Sequence, residues 1–398
     1  MSLETSATDR KGMRDLNLNR LLNLIRLNGP ISRPQLCELS GLSAATVLHL
    51  TNDLLESQLL VEGGTAHASR GRRPTLLEID PTGGYAIGLM IREYETVGVM
   101  VNLHGMIVSS AHWQLTLLDR HEESIPLIAE KVEALIAQAG IPRERLIGVG
   151  CAISGYIDSQ RGICVDSWQL GWHNFVLAAP LSELLQLPVV IRNNVSCIAC
   201  YENLFGRGQG YKNFLTVAIG RGLGLGIVVN GDIYGGATGG AGELGHTIIV
   251  VDGRLCECGK RGCLEAYIAH HGLLMTYEEL LQAEGTSPQA PITVEQLLQS
   301  TAADHIAQET FQRTGRLLGI GLANLTNILN PECIILTGEG MEFGDQLFEP
   351  VTRAFQETVF SELGRSVQLI YEPWVGYGSW GRGAAALVLH RLLFVPGN

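Results

Sequence analysis

The feature that most constrains this chain is a short segment rich in cysteine. Three of the nine cysteines fall within eight residues, and a histidine lies ten residues before the first of them. One imidazole and three thiolates complete the closed, tetrahedral ligand set of a structural zinc site, with no position left open for catalysis. In a reducing compartment this density of cysteine indicates a metal rather than disulfides. The alternative is that the cysteines lie unliganded on a turn. The predicted ligands are His246, Cys256, Cys258 and Cys263.

Length and composition indicate a compact protein of two or three domains. Of the 398 residues, 46% are hydrophobic and 17% are charged, and glycine occurs 48 times, which is typical of an α/β protein with many loops. No apolar run reaches the roughly 18 to 20 residues that span a bilayer. Residues 1–11 also lack the apolar stretch of a secretory signal. We therefore expect a cytoplasmic protein without stable membrane insertion.

Local signals in the first 60 residues predict three short helices. The second helix begins after Ser32, and Gln35 follows three residues later in the pattern of a capping box. Gly41 supplies the left-handed stop, and a third, amphipathic helix begins at Ser43. Two short helices joined by a tight turn are typical of a helix-turn-helix.

A strand, a polar turn and a second strand between Leu60 and Ile79 predict the wing of a winged helix-turn-helix. The turn is rich in arginine, which suits an A·T-rich minor groove. The formal charge of the chain is −12, yet its first 80 residues carry nine Lys/Arg and nine Asp/Glu and are neutral. The alternative is a small helical bundle with a solvated basic loop. The predicted DNA-binding residues are Thr46, His49 and Asn52 of the third helix, whose outward face has no Lys or Arg, and Arg70, Arg72 and Arg73 of the wing.

The chain beyond Pro81 alternates between strand and helix patterns. Segments 85–90, 97–103 and 106–110 predict three successive strands, with His104-Gly105 as a tight turn. This alternation favours an α/β architecture of two lobes.

Several motifs in this part resemble those of the ROK family, which contains repressors and sugar kinases. The chain is most similar to the sugar-responsive transcription regulators of that family, of the Mlc, NagC and xylose-repressor types. The resemblance implies an α/β, actin-like two-lobed sugar-kinase fold, related to ribonuclease H, behind the winged helix-turn-helix. It also implies a DNA-binding domain at 1–80, a small lobe at 81–195 completed by 380–398, and a large lobe with the zinc site at 196–379. The matching segments are 187–194, 220–226, 242–246, 256–265, 338–340 and 381–387.

The resemblance also implies a sugar site. In the family, the residues matching Glu243, His246 and Glu265 hydrogen-bond sugar hydroxyls, which carboxylates and imidazoles can do. The alternative is that Glu243 and Glu265 only cap the zinc loop. Ser154-Gly155 replaces the usual Pro-Gly of a pocket loop. The remaining predicted ligand-binding residues are Gly155, Asn174, Asn193 and Asn194.

Two departures from the family pattern argue against kinase activity. Kinases of the family have Asp where this chain has Asn194, and an amide cannot act as a general base near neutral pH. The first phosphate loop, Asp-x-Gly-Gly-Thr in the kinases, is Met-Ile-Arg-Glu-Tyr at 90–94, without the glycines that let backbone N–H groups approach phosphate. The glycines at 220–226 remain, but close packing at a strand turn explains that pattern equally well.

The sequence therefore predicts a sugar-responsive transcriptional regulator without catalytic residues. Its predicted partners are operator DNA, a sugar or sugar derivative, and a second copy of the chain in a homodimer or homotetramer. Two alternatives stay open: an active sugar kinase with an accessory DNA-binding domain, and a repressor controlled by a protein partner.

Overall fold

The computed structural model describes residues 4–65, 74–286 and 290–394. These residues form two compact units. The first contains Met1–Leu204 and Trp380–Asn398, and the second contains Phe205–Ser379. The predicted lobe boundary at 195 stays a prediction, whereas the contacts divide the chain at 204.

The N-terminal head of the first unit has the elements that the sequence predicts. Ser32 precedes the second helix, and its N–H and hydroxyl both donate to Gln35 Oε1, at 3.1 and 2.7 Å. Gly41 ends that helix with a φ of 68°. The two longer strands form the described part of the wing and pair antiparallel. The bounds are α1 Glu4–Asn28, β1 Ile31–Ser32, α2 Arg33–Ser40, α3 Ala44–Glu56, β2 Leu60–Thr65 and β3 Thr75–Ile79.

The rest of the first unit is built around a five-stranded sheet of order β11-β7-β4-β5-β6 and a small antiparallel sheet, β10-β9-β8. The three strands predicted between 85 and 110 are confirmed. Leu89, Val149 and Trp172 belong to its fully buried core. The bounds are β4 Tyr85–Ile91, β5 Glu95–Asn102, β6 Ile107–Gln114, α4 His121–Ala139, β7 Leu146–Ile153, β8 Tyr156–Asp158, β9 Ile163–Ser167, β10 Trp172–Val176, α5 Ala178–Leu185, β11 Val189–Asn193 and α6 Asn194–Phe205.

The second unit has its own five-stranded sheet, of order β14-β13-β12-β15-β16. Val217, Leu322 and Phe355 lie in its buried core. The bounds are β12 Phe214–Ile219, β13 Leu223–Val229, β14 Asp232–Ile233, α7 Glu265–Ile268, α8 His270–Ala283, α9 Val294–Ser300, α10 His305–Leu329, β15 Cys333–Thr337, α11 Asp345–Thr358, α12 Leu363–Ser366, β16 Gln368–Tyr371 and α13 Gly378–Leu393, which belongs to the first unit from Trp380 onward.

The two five-stranded sheets have the same topology. In each of these sheets, the first three strands in chain order pair antiparallel. The fourth and fifth strands then pair in parallel on the other side of the first strand. A strand that is buried on both faces reads as a continuous apolar run, as β4 and β15 do. Within the described ranges, no helix is both long enough and apolar enough to cross a membrane.

Candidate functional sites

The third helix of the head presents a polar face to solvent. Its inner stripe of Val47, Leu50 and Leu54 is buried, as the sequence predicts. Ser43 caps the helix, and Thr46 both donates its N–H to Ser43 Oγ at 3.2 Å and places its own hydroxyl 2.8 Å from that oxygen. Of the three predicted DNA-binding residues on α3, Thr46 is therefore engaged with the cap, while the other two, His49 and Asn52, are exposed.

An arginine from the preceding helix contacts this face, which the sequence analysis did not predict. Arg33 donates from Nε to Thr51 Oγ1 at 2.9 Å and from Nη2 to Asn52 Oδ1 at 3.2 Å. It occupies the first position of α2, where a positive charge opposes the helix dipole. This unfavourable placement is the sequence signal that could have identified it.

A second arginine reaches α3 from the first helix. Arg14 Nη2 lies 2.7 Å from Asp53 Oδ2, and His49 Nε2 lies 3.8 Å from the same oxygen. Two cations thus border a helix face that has none of its own. The predicted wing arginines, Arg70, Arg72 and Arg73, lie outside the described residues.

The predicted ligand-binding residues of the first unit meet at the start of α6. Val195 N–H donates to the side-chain oxygens of Asn193 and Asn194, both at 2.9 Å, so the two amides cap the helix. The other end of each amide is also engaged: Asn193 Nδ2 donates to Gly155 O at 3.0 Å, and Asn194 Nδ2 donates to Ser154 Oγ at 3.1 Å. The structure therefore brings three of the predicted ligand-binding residues together. Gly155 lies on the loop after β7, and Asn193 and Asn194 lie at the start of α6.

Backbone geometry explains why glycine stands at 155. Its φ is 116°, and a Cβ there would lie 2.3 Å from the carbonyl oxygen of Asp166. The fourth predicted residue of this unit, Asn174, has a φ of 47° and is exposed on β10. Its neighbour Trp172 is buried and donates its indole N–H to Leu117 O at 3.3 Å, which fixes the strand.

In the second unit the four predicted metal ligands come together. Their ligand atoms all lie within 4.8 Å of one another. His246 Nδ1 is 3.7 Å from Cys256 Sγ, and Cys258 Sγ is 3.7 Å from Cys263 Sγ. Zinc–sulfur bonds of about 2.3 Å place two ligands of a tetrahedral site about 3.8 Å apart. The donor atoms and their spacing therefore fit a zinc ion bound through Nδ1 of the histidine.

The segment that carries the predicted metal ligands, residues 246–263, is anchored to the two helices that follow it, α7 and α8. Arg254 donates to both carboxylate oxygens of Glu279, at 2.7 and 2.6 Å, and its guanidinium lies 4.6 Å from the ring centre of Tyr267. The turn between the second and third cysteines needs a left-handed residue at Gly262, whose φ is 79°, and a Cβ there would overlap Val250 O.

The two predicted sugar-binding carboxylates differ in their surroundings. Glu265 is buried, and its Oε2 accepts the N–H of Leu223 at 2.9 Å, which ties the start of α7 to the glycine loop before β13. Desolvation raises the pKa of Glu243; the nearby His246 opposes this shift, and Glu265 adds to it. The alternative that both carboxylates only cap the zinc loop stays open, and the hydrogen-bond partner of Glu265 lies beside the glycine loop.

The segment that replaces the first phosphate loop is a closed hairpin turn. Strand β4 continues to Ile91, and Arg92 N–H donates to Glu95 O at 3.0 Å. The Arg92 and Glu95 side chains form an ion pair at 2.7 Å, and Glu93 is buried with 6% exposure. Charged and bulky groups fill the place where a phosphate-binding loop has glycine.

The comparisons with known proteins identify the family of the chain. The ROK family model matches residues 95–391. The xylose repressor of Bacillus subtilis is 28% identical over 386 residues, which cover 97% of this chain and 98% of that protein. A solved ROK family transcriptional regulator, a homologue of the Escherichia coli Mlc protein, superposes with a TM-score of 0.84 at 24% identity and covers 96% of this chain and 97% of its own.

A solved sugar kinase of the same family matches a smaller share of the chain. The ROK glucokinase of Streptomyces griseus, solved with glucose and AMPPNP, has a TM-score of 0.64 at 26% identity and covers 76% of this chain and 99% of its own. The predicted α/β, two-lobed sugar-kinase fold with an N-terminal helix-turn-helix is therefore confirmed.

Proposed function

Because the chain belongs to the ROK family, we propose that it is a sugar-responsive transcriptional repressor. The observation that carries this proposal is the helix-turn-helix head, whose third helix exposes a polar face bordered by two arginines. Similarity to the Bacillus subtilis xylose repressor extends over that head as well as the sensor part. A kinase without this head has no such surface to present to DNA.

The head binds operator DNA with α3 in the major groove. His49 and Asn52 contact base edges there, while Thr46 stays near the phosphate backbone at the helix start. Arg14 and Arg33 supply the positive charge that α3 lacks. Arg70, Arg72 and Arg73 of the wing enter the minor groove. Two heads in a homodimer or homotetramer bind two half-sites.

The sensor part binds a sugar or sugar derivative. The residues that we propose bind it are Gly155, Asn174, Asn193, Asn194, Glu243, His246 and Glu265. These groups supply the paired donors and acceptors that sugar hydroxyls need. Support comes from the capped start of α6, which holds both asparagine amides in fixed positions beside the 154–155 loop.

Zinc is the proposed structural cofactor, held by His246, Cys256, Cys258 and Cys263. A closed Cys₃His set adds folding energy and leaves no site for substrate. Through Nδ1 the metal fixes the His246 ring, and Nε2 is then the nitrogen that is available to a hydroxyl. The zinc therefore orders one wall of the sugar site.

Phosphoryl transfer is not part of the proposed function. Asn194 stands where the kinases have their base, and its amide is hydrogen-bonded to Ser154. The turn at 92–94 offers an ion pair in place of glycine N–H groups. Sugar binding is compatible with these changes, because an amide still donates and accepts hydrogen bonds.

Operator selection followed by ligand titration tests the proposal. The full-length protein first selects its operator from a random duplex library. Fluorescence anisotropy then measures operator affinity with D-xylose, D-glucose, N-acetylglucosamine and their phosphates. We expect one of these to change the affinity by about 5- to 150-fold, the usual range of allosteric coupling. Failure to select any duplex contradicts the DNA-binding role, and an operator affinity that no sugar changes contradicts the sugar response.

A further inference from the structure

Helix α6 has the proposed ligand-binding asparagines at one end and the DNA-binding head at the other. Its first turn is capped by Asn193 and Asn194, and its last turn includes Leu204. Its 12 residues span about 18 Å at 1.5 Å per residue. Most of its side chains are buried, so the helix moves as one body.

One contact between α6 and the head comes from an arginine of α1. Arg26 of α1 donates from Nη1 to Leu204 O at 2.5 Å, and from Nη2 and Nε to Asn23 Oδ1 at 2.8 and 3.3 Å. Leu204 O is one of the last four carbonyls of α6, a position at which helices commonly accept from a side-chain donor. A cation at a helix C-terminus is also favoured by the helix dipole. Arg26 therefore caps α6 from the head.

The same α1 forms the inner layer of the head. Leu21, Leu22 and Ile25 are buried, and α1 packs against both α2 and α3. A shift of Leu204 thus moves the helix on which the helix-turn-helix rests. Asn19 Nδ2 makes a second link from α1, to Arg391 O at 3.2 Å on α13.

Stability alone does not account for the arginine. Both acceptors of Arg26 are neutral oxygens, and desolvation lowers its pKa to about 10, so it stays charged near neutral pH. Replacing buried charged groups with apolar side chains of similar volume is often neutral or stabilising. An apolar residue of similar length would pack α1 against the end of α6 at a lower desolvation cost.

We propose that Arg26 is a positioning residue that couples the ligand site to the DNA-binding head by holding the C-terminus of α6. Ligand that engages Asn193 and Asn194 displaces the start of α6, and Arg26 transmits that displacement to α1. The proposal rests on the function proposed above. It adds the route by which the two sites of that function communicate.

Two substitutions in the full-length protein test this route. Arg26→Met removes the hydrogen bonds and keeps the side-chain length, whereas Arg26→Lys keeps the charge and one donor. The matched control is Arg143→Met, because Arg143 also donates to a helix-terminal carbonyl of the same unit, Leu185 O of α5. Asn23→Ala removes the second acceptor and serves as the milder variant if Arg26→Met does not fold.

The first measurement needs no sugar. Hydrogen–deuterium exchange of residues 194–205 is compared with and without the selected operator duplex. We expect the operator to change this exchange in the wild type and in Arg143→Met, to change it less in Arg26→Lys, and to leave it unchanged in Arg26→Met. An operator that does not affect residues 194–205 in the wild type, or that affects them equally in Arg26→Met, overturns the proposal.

The second measurement is the ratio of operator affinities with and without the sugar that acts on the wild type. This ratio is expected to fall toward one in Arg26→Met, with sugar affinity and operator affinity alone each changing less than about threefold. An unchanged ratio overturns the proposal. If no sugar acts on the wild type, the sugar response itself fails, and the exchange measurement still decides the role of Arg26.

Discussion

At the scale of single residues, Arg33 orients the amide of Asn52 on the proposed DNA-binding face of α3. A guanidinium has only donors, so the atom of Asn52 that it contacts must be the oxygen. The amide nitrogen of Asn52 is then the group directed elsewhere. This favours bases with an acceptor in the major groove, such as N7 of a purine.

Arg33→Met is expected to relax base preference at the position that Asn52 contacts. Discrimination there should fall by roughly tenfold, since a mismatched base pair typically costs about 1 to 3 kcal/mol. Selection from a random duplex library measures it, with Asn52→Ala as the reference. In the Asn52→Ala background, Arg33→Met should cause no further loss at that position. A second, equal loss would show that Arg33 acts independently of Asn52.

The outward positions of α3 could be predicted from the sequence because they follow from a 3.6-residue period. The partners of Arg33 and Arg14 could not be predicted, because they lie 19 and 39 positions away in the chain. The same holds for Asn194. Its replacement of Asp is visible in the sequence, whereas its hydrogen bond to Ser154, 40 positions earlier, depends on the pairing of β7 with β11.

At the scale of elements, the zinc loop and α6 differ in how they are held. Backbone hydrogen bonds close the turns of the loop, such as Cys256 N–H to Lys260 O and Gly262 N–H to Arg254 O, both at 2.8 Å, and its described backbone bridges join Ile248 to Cys263 and Leu255 to Arg261. The loop is therefore ordered by its own backbone and by the contacts of Arg254, and a bound metal would add to both. Ligand spacing in the sequence predicted the cluster correctly, because all four donors lie within one short segment.

Cys258→Ser is expected to lower zinc content, stability and sugar affinity together. Cys258 is exposed, so the change creates no cavity, and any loss reflects the metal. A loss of about 2 kcal/mol lowers the Tm of a domain of this size by roughly 4 to 8 °C. Metal analysis, thermal melting and calorimetry measure the three effects. The control, Cys37→Ser in the head, should keep one zinc per chain. Wild type that holds much less than one zinc contradicts the site.

At the scale of the whole molecule, each of the two units contains one loop that corresponds to a kinase phosphate loop. In the first unit the turn at 92–94 is closed by the Arg92–Glu95 ion pair. In the second, the glycine loop remains, but the Leu223 N–H that follows it already donates to Glu265. The proposed absence of phosphoryl transfer therefore rests on features of both units rather than on Asn194 alone.

Restoring the base alone should not restore a kinase. A positioned base typically contributes about 10² to 10⁴ in rate, but Asn194→Asp leaves the turn at 92–94 unchanged. We expect neither the wild type nor Asn194→Asp to form ADP in a sugar-dependent way in a coupled assay, with a ROK glucokinase as the positive control. Sugar-dependent turnover that disappears in Glu243→Ala would contradict this expectation and make the protein an enzyme.

The hydrogen bond between Asn194 and Ser154 also determines which of these two residues can be substituted first at the lower cost. In the sequence analysis, Asn194 differs from the residue of the family's kinases and Ser154 from the family's usual Pro-Gly loop, and the amide of Asn194 donates to the hydroxyl of Ser154. If Ser154 changed to proline first, the amide of Asn194 would lose its acceptor. If Asn194 changed to aspartate first, the hydroxyl of Ser154 could rotate and donate instead. On this hydrogen bond alone, the two substitutions therefore have one favourable order, aspartate before proline.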